Sequence, residues 1–233
     1  MPHDPAARLR AADSLPGLAP GAGRYLAPPA VGGAVALAVA PPVGLALLAL
    51  AGFVAYFFRD PDRVTPEGAV VCPADGRVSV VREEVVDGAD DADGDPDGAD
   101  DDGHSETGRV RVGVFMNVTD VHVVRAPADA TVERVIHSPG AHRPAFTKES
   151  ERNERVRVHA DGYDLELIAG AFARRIHPYV EGGDAVTQGR RVGHIAFGSR
   201  VDVVCPPEVG PEDVAVDKGE AVSAGETVVV AGD

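Results

Sequence analysis

The 34 residues from Tyr25 to Phe58 contain no charged side chain, and this feature constrains the fold of the 233-residue chain more than any other. A helix that crosses a bilayer needs about 20 apolar residues. Pro41-Pro42 divides the stretch into an 11-residue piece, 30–40, and a 16-residue piece, 43–58, and each is short for a crossing. These lengths favour a helical hairpin, or a pair of short helices, seated in one membrane. A single kinked span is the alternative.

Arginines flank this membrane segment, 25–58, on both sides, with Arg8, Arg10 and Arg24 before it and Arg59 and Arg63 after it. Because basic residues favour the cytoplasmic side, a hairpin would keep both flanks there. A cleaved signal peptide is excluded, since the apolar stretch is too long and begins too far into the chain. We therefore expect a polar tail at 1–24 and a protein of the cell membrane with its remaining domain on the cytoplasmic side.

The charge balance is strongly acidic, with 37 Asp and Glu against 22 Lys and Arg, a net charge of −15. A positive footprint is needed for non-specific nucleic-acid binding, so that class of partner is excluded. An acidic, lysine-poor chain is typical of a salt-loving source, because excess charge preserves solubility when salt screens it. One acidic loop skewing the total is the alternative. Nine aspartates lie between residues 87 and 108, which we predict to be a solvated, disordered insertion.

From residue 59 onwards the chain has the pattern of a β-rich domain. Short valine runs such as Val110, Val112 and Val114 alternate with other residues, and helical periodicity is almost absent. The pattern G-[DE]-x-V-x-x-G occurs at 183–189 and again at 219–225. It is typical of turn-and-strand units in barrel-sandwich "hammerhead" domains, where glycine allows positive φ. We predict a mainly β (β-rich α+β) fold over 59–233, with a barrel-sandwich or hammerhead-like architecture.

Three segments carry residues suited to chemistry, and each alone is weak evidence. Phe57-Phe58-Arg59-Asp60-Pro61 precedes Pro73-Ala74-Asp75-Gly76, residues 115–127 read F-M-N-V-T-D-V-H-V-V-R-A-P, and residues 195–202 read I-A-F-G-S-R-V-D. In this order, over residues 53–207 and with the acidic insertion set aside, they resemble phosphatidylserine decarboxylases. The similarity is to the short, archaetidylserine decarboxylase-like form found in archaea and many bacteria.

The resemblance implies a self-processing, pyruvoyl-dependent carboxy-lyase. The bond between Gly198 and Ser199 would be the processing site, where the Ser199 hydroxyl attacks the Gly198 carbonyl. Elimination would then separate a large subunit, 1–198, from a small subunit, 199–233, and leave a covalent pyruvoyl group derived from Ser199. This group would form a Schiff base with the amine of a serine phospholipid, either phosphatidylserine or archaetidylserine. Loss of CO2 would give the ethanolamine phospholipid.

A serine hydroxyl is a poor nucleophile at neutral pH and needs a base that a third group orients. Asp75, His122 and Ser199 supply these residue types in that order, and Asn117 could hold the oxyanion. His122 is also the candidate for protonating the carbon that loses CO2.

Four residues are candidates for substrate binding: Asn117, Arg125, Arg174 and Arg175. Longer relatives carry two histidines spaced H-x-x-H, whereas here His122 is followed at the second position by Arg125. One histidine could therefore serve both processing and turnover, with Arg125 binding phosphate or carboxylate. Arg174 and Arg175 could meet the anionic headgroup.

Two other functions remain open, and no metal site is expected, since the histidines lack ligand spacing. The first alternative is a membrane-anchored, non-catalytic hammerhead module that binds or carries a ligand. A carrier needs an exposed lysine at a hairpin tip, but Lys218 lies directly against the second repeat. The second alternative is a pyruvoyl enzyme for a soluble amino acid, which the apolar segment disfavours. A homodimer is compatible with the sequence but not implied by it.

Overall fold

The computed structural model describes residues 17–85, 108–140, 153–170, 175–196 and 199–232. Most of the predicted polar tail, the acidic insertion up to residue 107, Arg174 and Gly198 lie outside the described residues.

Two helices of 17 residues each, α1 (Gly23–Val39) and α2 (Pro41–Phe57), form the N-terminal part. The break falls at Ala40, because Pro41 disfavours helical backbone in the residue before it. The helices pack side by side so closely that a Cβ on Gly44 would lie 2.5 Å from the Leu37 backbone nitrogen. The predicted helix pair is therefore present as a hairpin. Within the described residues no helix has the length and apolar character needed to cross a membrane.

The rest of the described chain is almost entirely β, as predicted. In chain order the strands are β1 (Val70–Val71), β2 (Gly76–Val85), β3 (Gly108–Met116), β4 (Val123–Arg125), β5 (Ala130–Ser138), β6 (Arg155–Ala160), β7 (Asp164–Ala169), β8 (Ile176–Pro178), β9 (Ala185–Val186), β10 (Arg191–Ile195), β11 (Ser199–Val204), β12 (Ala221–Val222) and β13 (Val228–Val230). A short 3₁₀ turn covers Pro211–Asp213.

Eight strands form one antiparallel sheet in the order β12-β2-β3-β11-β7-β6-β5-β9. A three-stranded sheet, β4-β10-β8, and the pair β1-β13 complete the domain. Alternation places valines such as Val112 and Val114 in the buried core and Arg109 and Arg111 on the other face of β3. The large sheet is curled into a half-barrel, and the barrel-sandwich or hammerhead-like architecture stays a prediction.

The two glycine repeats occupy opposite ends of the eight-stranded sheet. Gly183 and Gly219 have φ of 93° and 94°, and Gly189 and Gly225 have φ of 75° and 73°, so the predicted positive φ is confirmed. The repeats contribute β9 and β12, the two outermost strands. A Cβ on Gly225 would lie 3.7 Å from the Gly189 Cα, so the sheet curls until its two ends meet.

The strand that begins at Ser199 is central in the large sheet. β11 lies between β3 and β7, where Ser199 pairs with Met116 on one side and Ala169 on the other. β2 begins at the same edge of the sheet, directly after Asp75. This arrangement brings the segment that contains Ser199 next to the segments that contain Asp75 and Met116. Cys72 and Cys205 are buried and unbridged.

Candidate active site

Ser199 is fully buried, although it carries a hydroxyl group. Its Oγ has no hydrogen-bond partner among the described residues. Buried polar atoms are nearly always hydrogen-bonded, so an exception calls for a functional explanation. The first residue of a central strand therefore presents a desolvated hydroxyl directly after the Gly198 position.

His122 lies immediately before β4, with 2% of its surface exposed. Its Nδ1 is 3.0 Å from the carbonyl oxygen of Asp120. Because a carbonyl only accepts, Nδ1 carries the proton and Nε2 has a free lone pair. Nε2 is buried and has no partner in the described part of the chain. Burial lowers the pKa of His122 to about 4, so the imidazole is a neutral base at pH 7.

The strand that leads to Ser199 passes directly beside His122. The Ile195 amide donates to the His122 carbonyl oxygen at 3.2 Å. Ser199 follows Ile195 by four positions, a path of at most roughly 14 Å. Ala196 also packs in a small apolar cluster with Val121 and its neighbours. The fold thus brings His122 and Ser199 into one region.

Asp75 lies at the same edge of the sheet but has different partners. Its carboxylate accepts two hydrogen bonds from Arg63 Nη2, at 2.7 and 3.0 Å, and one from the Ala224 amide at 2.8 Å. No hydrogen bond joins it to His122 among the described residues. The Asp75–His122–Ser199 relay expected from the sequence is therefore not assembled in this structure. The backbone carbonyl of Asp120 orients the imidazole instead.

Arg125, which was expected to bind substrate, is buried inside the domain. Its guanidinium donates to Asp60 Oδ1 at 2.8 Å, to the Pro61 carbonyl at 2.9 Å and to the Gly189 carbonyl at 3.0 Å. Burial lowers its pKa from the usual value. Because these donors are used internally, the geometry favours a structural role for Arg125 over phosphate binding.

The other candidate substrate-binding residues are placed less deeply. The Asn117 side chain is exposed, and its backbone amide donates to the Asp120 carboxylate at 2.7 Å, closing the turn before His122. Arg175 is exposed directly before β8, and its carbonyl lies 3.5 Å from the Ala196 amide. Arg174 lies outside the described residues. Arg175 is thus beside the strand that leads to Ser199.

The hairpin foot, residues 23–25 and 56–59, packs onto this site. The Phe57 ring lies 4.2 Å from the His122 ring, centroid to centroid. Arg59 Nη2 donates to the Thr119 carbonyl at 2.7 Å, and the Tyr56 hydroxyl donates to the same oxygen at 3.2 Å. The foot therefore covers His122 and fixes the loop that carries it.

Residues 50–230 match the sequence profile of the phosphatidylserine decarboxylase family. The chain belongs to this family.

Several curated relatives within the family are similar over most of their length. A putative archaetidylserine decarboxylase proenzyme of Halobacterium salinarum is 54% identical over 88% of this chain and 94% of the relative. A phosphatidylserine decarboxylase proenzyme of Streptomyces coelicolor is 43% identical over 97% of this chain and 98% of the relative. A putative archaetidylserine decarboxylase proenzyme of Methanopyrus kandleri is 39% identical over 91% of this chain. The Halobacterium relative agrees with the salt-adapted composition.

Sequence reasoning missed several residues of this family member's site. The Asp60 carboxylate forms ion pairs with both Arg125 and Arg191, and the Arg63 guanidinium forms one with Asp75. Asp60 was quoted for the resemblance without a role, and Arg63 was named only as a basic residue after the membrane segment. His194 and Tyr179 were also missed, because only strand pairing shows that they meet. The described residues hold no group of three or more His, Cys, Asp or Glu that could bind a metal ion.

Proposed function

We propose that the chain is a self-processing, pyruvoyl-dependent decarboxylase of a serine phospholipid. The observation that carries this proposal is that the buried Oγ of Ser199 and the buried Nε2 of a neutral His122, both without a described partner, lie in one region of the domain. The family supports the same assignment, since its curated relatives are named as decarboxylase proenzymes. The pyruvoyl group fits the residues present, because it derives from Ser199 itself.

Processing uses groups that this chain supplies. The Ser199 Oγ bonds to the carbonyl carbon of Gly198, its proton passes to a base, and the peptide C–N bond breaks as the nitrogen takes up a proton. A base then removes the Cα proton of residue 199 and the Cβ–O bond breaks, which frees chain 1–198 with a carboxylate end. Hydrolysis of the dehydroalanine, with release of ammonia, leaves the pyruvoyl group. His122 Nε2 is the base that the geometry favours for the first step.

A pyruvoyl group supplies an electrophilic carbonyl and an electron sink for the decarboxylation. The protein's part is to hold the headgroup, exclude water and return one proton to the carbon that lost CO2. The hairpin foot excludes water from His122, because Phe57 covers the ring. His122 is our candidate for delivering that proton. It would then serve in both processing and turnover, with Arg125 held by Asp60 in the interior.

We further propose that the helical hairpin binds the bilayer on its cytoplasmic face and holds the domain at the headgroups. Its support is a set of large apolar side chains exposed on α1 and α2: Val31, Val35, Leu37, Val39, Val43, Leu45, Leu50 and Phe53. An exposed apolar surface of this kind marks a membrane or partner contact. The names of the relatives from Halobacterium and Methanopyrus favour an ether-linked archaetidylserine as the substrate.

The membrane proposal is tested by flotation of the purified protein with vesicles of anionic phospholipid. The double variant Leu45→Glu/Phe53→Glu places charges on the exposed surface of α2, so we expect it to remain in the bottom fraction. Glu133→Gln, on the exposed side of β5, is the control and should float with the vesicles. Flotation of the double variant would contradict the assignment of the hairpin.

The decisive experiment for the function is the intact mass of the purified protein beside that of Ser199→Ala. We expect the wild type to give two chains, the smaller of 35 residues with a blocked, carbonyl-bearing N-terminus. Ser199→Ala should remain whole, because it lacks the nucleophile. Ser223→Ala is a matched control that should still cleave. A folded, uncut wild type in its native salt would overturn the mechanism and favour the non-catalytic hammerhead module.

A further inference from the structure

Three imidazoles lie on adjacent strands of the small sheet β4-β10-β8. His122 directly precedes β4, His194 lies on β10 opposite Val123, and His177 lies on β8 opposite His194. The rings of His177 and His194 stack with their centroids 4.6 Å apart, and Phe58 of the hairpin foot lies 5.8 Å from His194. The mechanism above uses only His122, so two of the three have no assigned role.

Tyr179 fixes the orientation of His194. The Tyr179 hydroxyl lies 2.5 Å from His194 Nδ1. Contacts this short are typical of an O–H donor, so the tyrosine donates and His194 carries its own proton on Nε2. His194 is 1% exposed, and its Nε2 has no partner among the described residues. A buried N–H is therefore left without an acceptor, although its cost in stability is comparable to that of a lost hydrogen bond.

Two arginines lie near the histidine pair, and Glu154 is the carboxylate that acts on His177. Arg24 Nη2 lies 3.3 Å from His177 Nε2, and Arg175 is close enough to lower the pKa of His177 further. Burial first, and then these neighbours, lower the pKa of His177 to about 4 and that of His194 to about 3. In the described residues no carboxylate bonds to these two arginines, although the protein carries a net charge of −15. This arrangement of donors favours an anion as a further partner.

An unpartnered imidazole nitrogen alone does not make a site, as His159 shows. Its Nε2 is also buried without a described partner, but its Nδ1 lies 2.8 Å from the Asp164 carboxylate. It lies at the far end of β6 and β7 from Ser199. His194 differs because a neutral tyrosine holds it, Arg24 lies beside the His177 ring that stacks on it, and the next strand begins at Ser199. These differences separate a binding position from a structural ion pair.

We propose that His194, held by Tyr179, is the inner donor of an anion subsite, completed by His177 and Arg24, that binds the phosphodiester of the substrate headgroup. This inference rests on the proposed function and deepens it. His194 precedes Ser199 by five residues, a path of at most roughly 17 Å. Arg24 is exposed in the first turn of α1, at the hairpin foot, which is where a lipid phosphate would lie. An incoming phosphate oxygen replaces the contact between Arg24 and His177.

The test compares decarboxylation kinetics of the processed full-length enzyme on a serine phospholipid in detergent micelles at constant salt. We expect Tyr179→Phe and His194→Gln each to raise KM about tenfold, while kcat and the extent of self-cleavage stay within about twofold, because the lost contact is to a non-reacting group. Tyr179→Phe keeps the ring and removes only the hydroxyl. His159→Gln is the matched control and should leave KM unchanged.

A binding experiment tests the subsite without any turnover. The uncleaved Ser199→Ala protein is titrated calorimetrically with glycerophosphoserine and, separately, with inorganic phosphate. We expect glycerophosphoserine to bind, and its affinity to fall about tenfold when His194→Gln is added. Equal binding of inorganic phosphate would identify a free-phosphate site and overturn the headgroup assignment.

Three other outcomes would also overturn the proposal. One is an unchanged KM in both variants of an active enzyme. Another is slower self-cleavage while the KM of the fraction that is processed stays unchanged, which would assign the donor to processing. The third is titration of the Ser199→Ala protein with no binding. A wild type that never cleaves would instead contradict the proposed function, and the titration would still decide whether the subsite exists.

Discussion

The site and the outer face of the large sheet, which is the face that carries Arg111, differ in how their buried polar groups are paired. At the site end, the Ser199 hydroxyl and the Nε2 atoms of His122 and His194 are buried without a described partner. On the outer face, an ion-pair network of Glu84, Arg111, Glu166, Arg200 and Asp202 pairs every charge it buries. The site end leaves buried polar atoms without described hydrogen-bond partners, whereas the outer face pairs each buried charge with a charge of opposite sign.

The outer network is built across neighbouring strands. Asp202 on β11 is fully buried and accepts two hydrogen bonds from Arg200, both at 2.8 Å. Arg111 on β3 lies 3.2 Å from Asp202 and 2.8 Å from Glu166 on β7. Gly113 leaves room for this cluster, because a Cβ there would lie 2.6 Å from an Asp202 oxygen. Burial raises the pKa of Asp202, whereas Arg111 and its neighbours hold the pKa of Glu166 below its usual value.

The difference separates groups that determine the fold from groups that are available for chemistry. A one-residue slip of β11 would separate Asp202 from Arg111 on the neighbouring strand β3, so the network stabilises one register. The buried atoms without partners at the site end lower the stability of the fold instead of raising it. Such atoms are retained where a reaction needs them. Variants in the two regions should therefore change different measurable quantities.

The largest effect is expected from His122→Gln at the site end. Removing the base should slow self-cleavage by about 10²- to 10⁴-fold, because a glutamine cannot accept the Ser199 proton. The free energy of unfolding should change by less than about 1 kcal/mol, because the glutamine amide can replace the Nδ1 hydrogen bond to the Asp120 carbonyl and no described hydrogen bond to Nε2 is lost. A mass time course and urea unfolding in native salt measure the two quantities. Cleavage at the wild-type rate would show that another group is the base.

Asp202→Ala on the outer face is expected to have a smaller effect, and on stability instead of on cleavage. It leaves Arg200 with an unpaired, partly buried charge, so the free energy of unfolding should fall by about 3 to 5 kcal/mol. The cleavage rate of the protein that remains folded should stay near that of wild type. Arg82→Gln, which removes a half-exposed partner of Glu84, is the control and should cost less than about 1 kcal/mol. Equal losses of unfolding free energy in Asp202→Ala and Arg82→Gln would show that the buried ion pairs stabilise the fold no more than the exposed one.

Local patterns in the sequence predicted much of this fold. Alternating valines indicated the strands, the absence of charge and the proline pair indicated the helices, and the glycine repeats indicated positive φ. Ser199 and His122 were chosen from short motifs, and the structure places them in one region. The predictions of strands, helices and positive φ depend on neighbours within a few residues, whereas Ser199 and His122 were chosen because three segments together resemble one family.

The remaining features depend on contacts between distant residues, which no local pattern encodes. Arg125 meets Asp60 across 65 positions, and this contact turns an apparent substrate ligand into an interior ion pair. Arg63 likewise forms an ion pair with Asp75, and Asp75 has no described hydrogen bond to His122. The stacked rings of His177 and His194 require the strand order β4-β10-β8, which does not follow chain order. Strand pairing therefore decided the parts of the site that the sequence left open.

The central position of β11 has a consequence for the lifetime of the processed protein. Cleavage before Ser199 would make the first residue of an interior strand, paired on both sides, into a chain terminus. The short chain would then contribute β11, β12 and β13 to sheets that otherwise belong to the long one. Folding before cleavage is a unimolecular reaction of one chain, whereas reassembly after unfolding would require two chains to meet. The precursor would thus be the only form that can fold by itself, and the mature enzyme would persist through its barrier to unfolding.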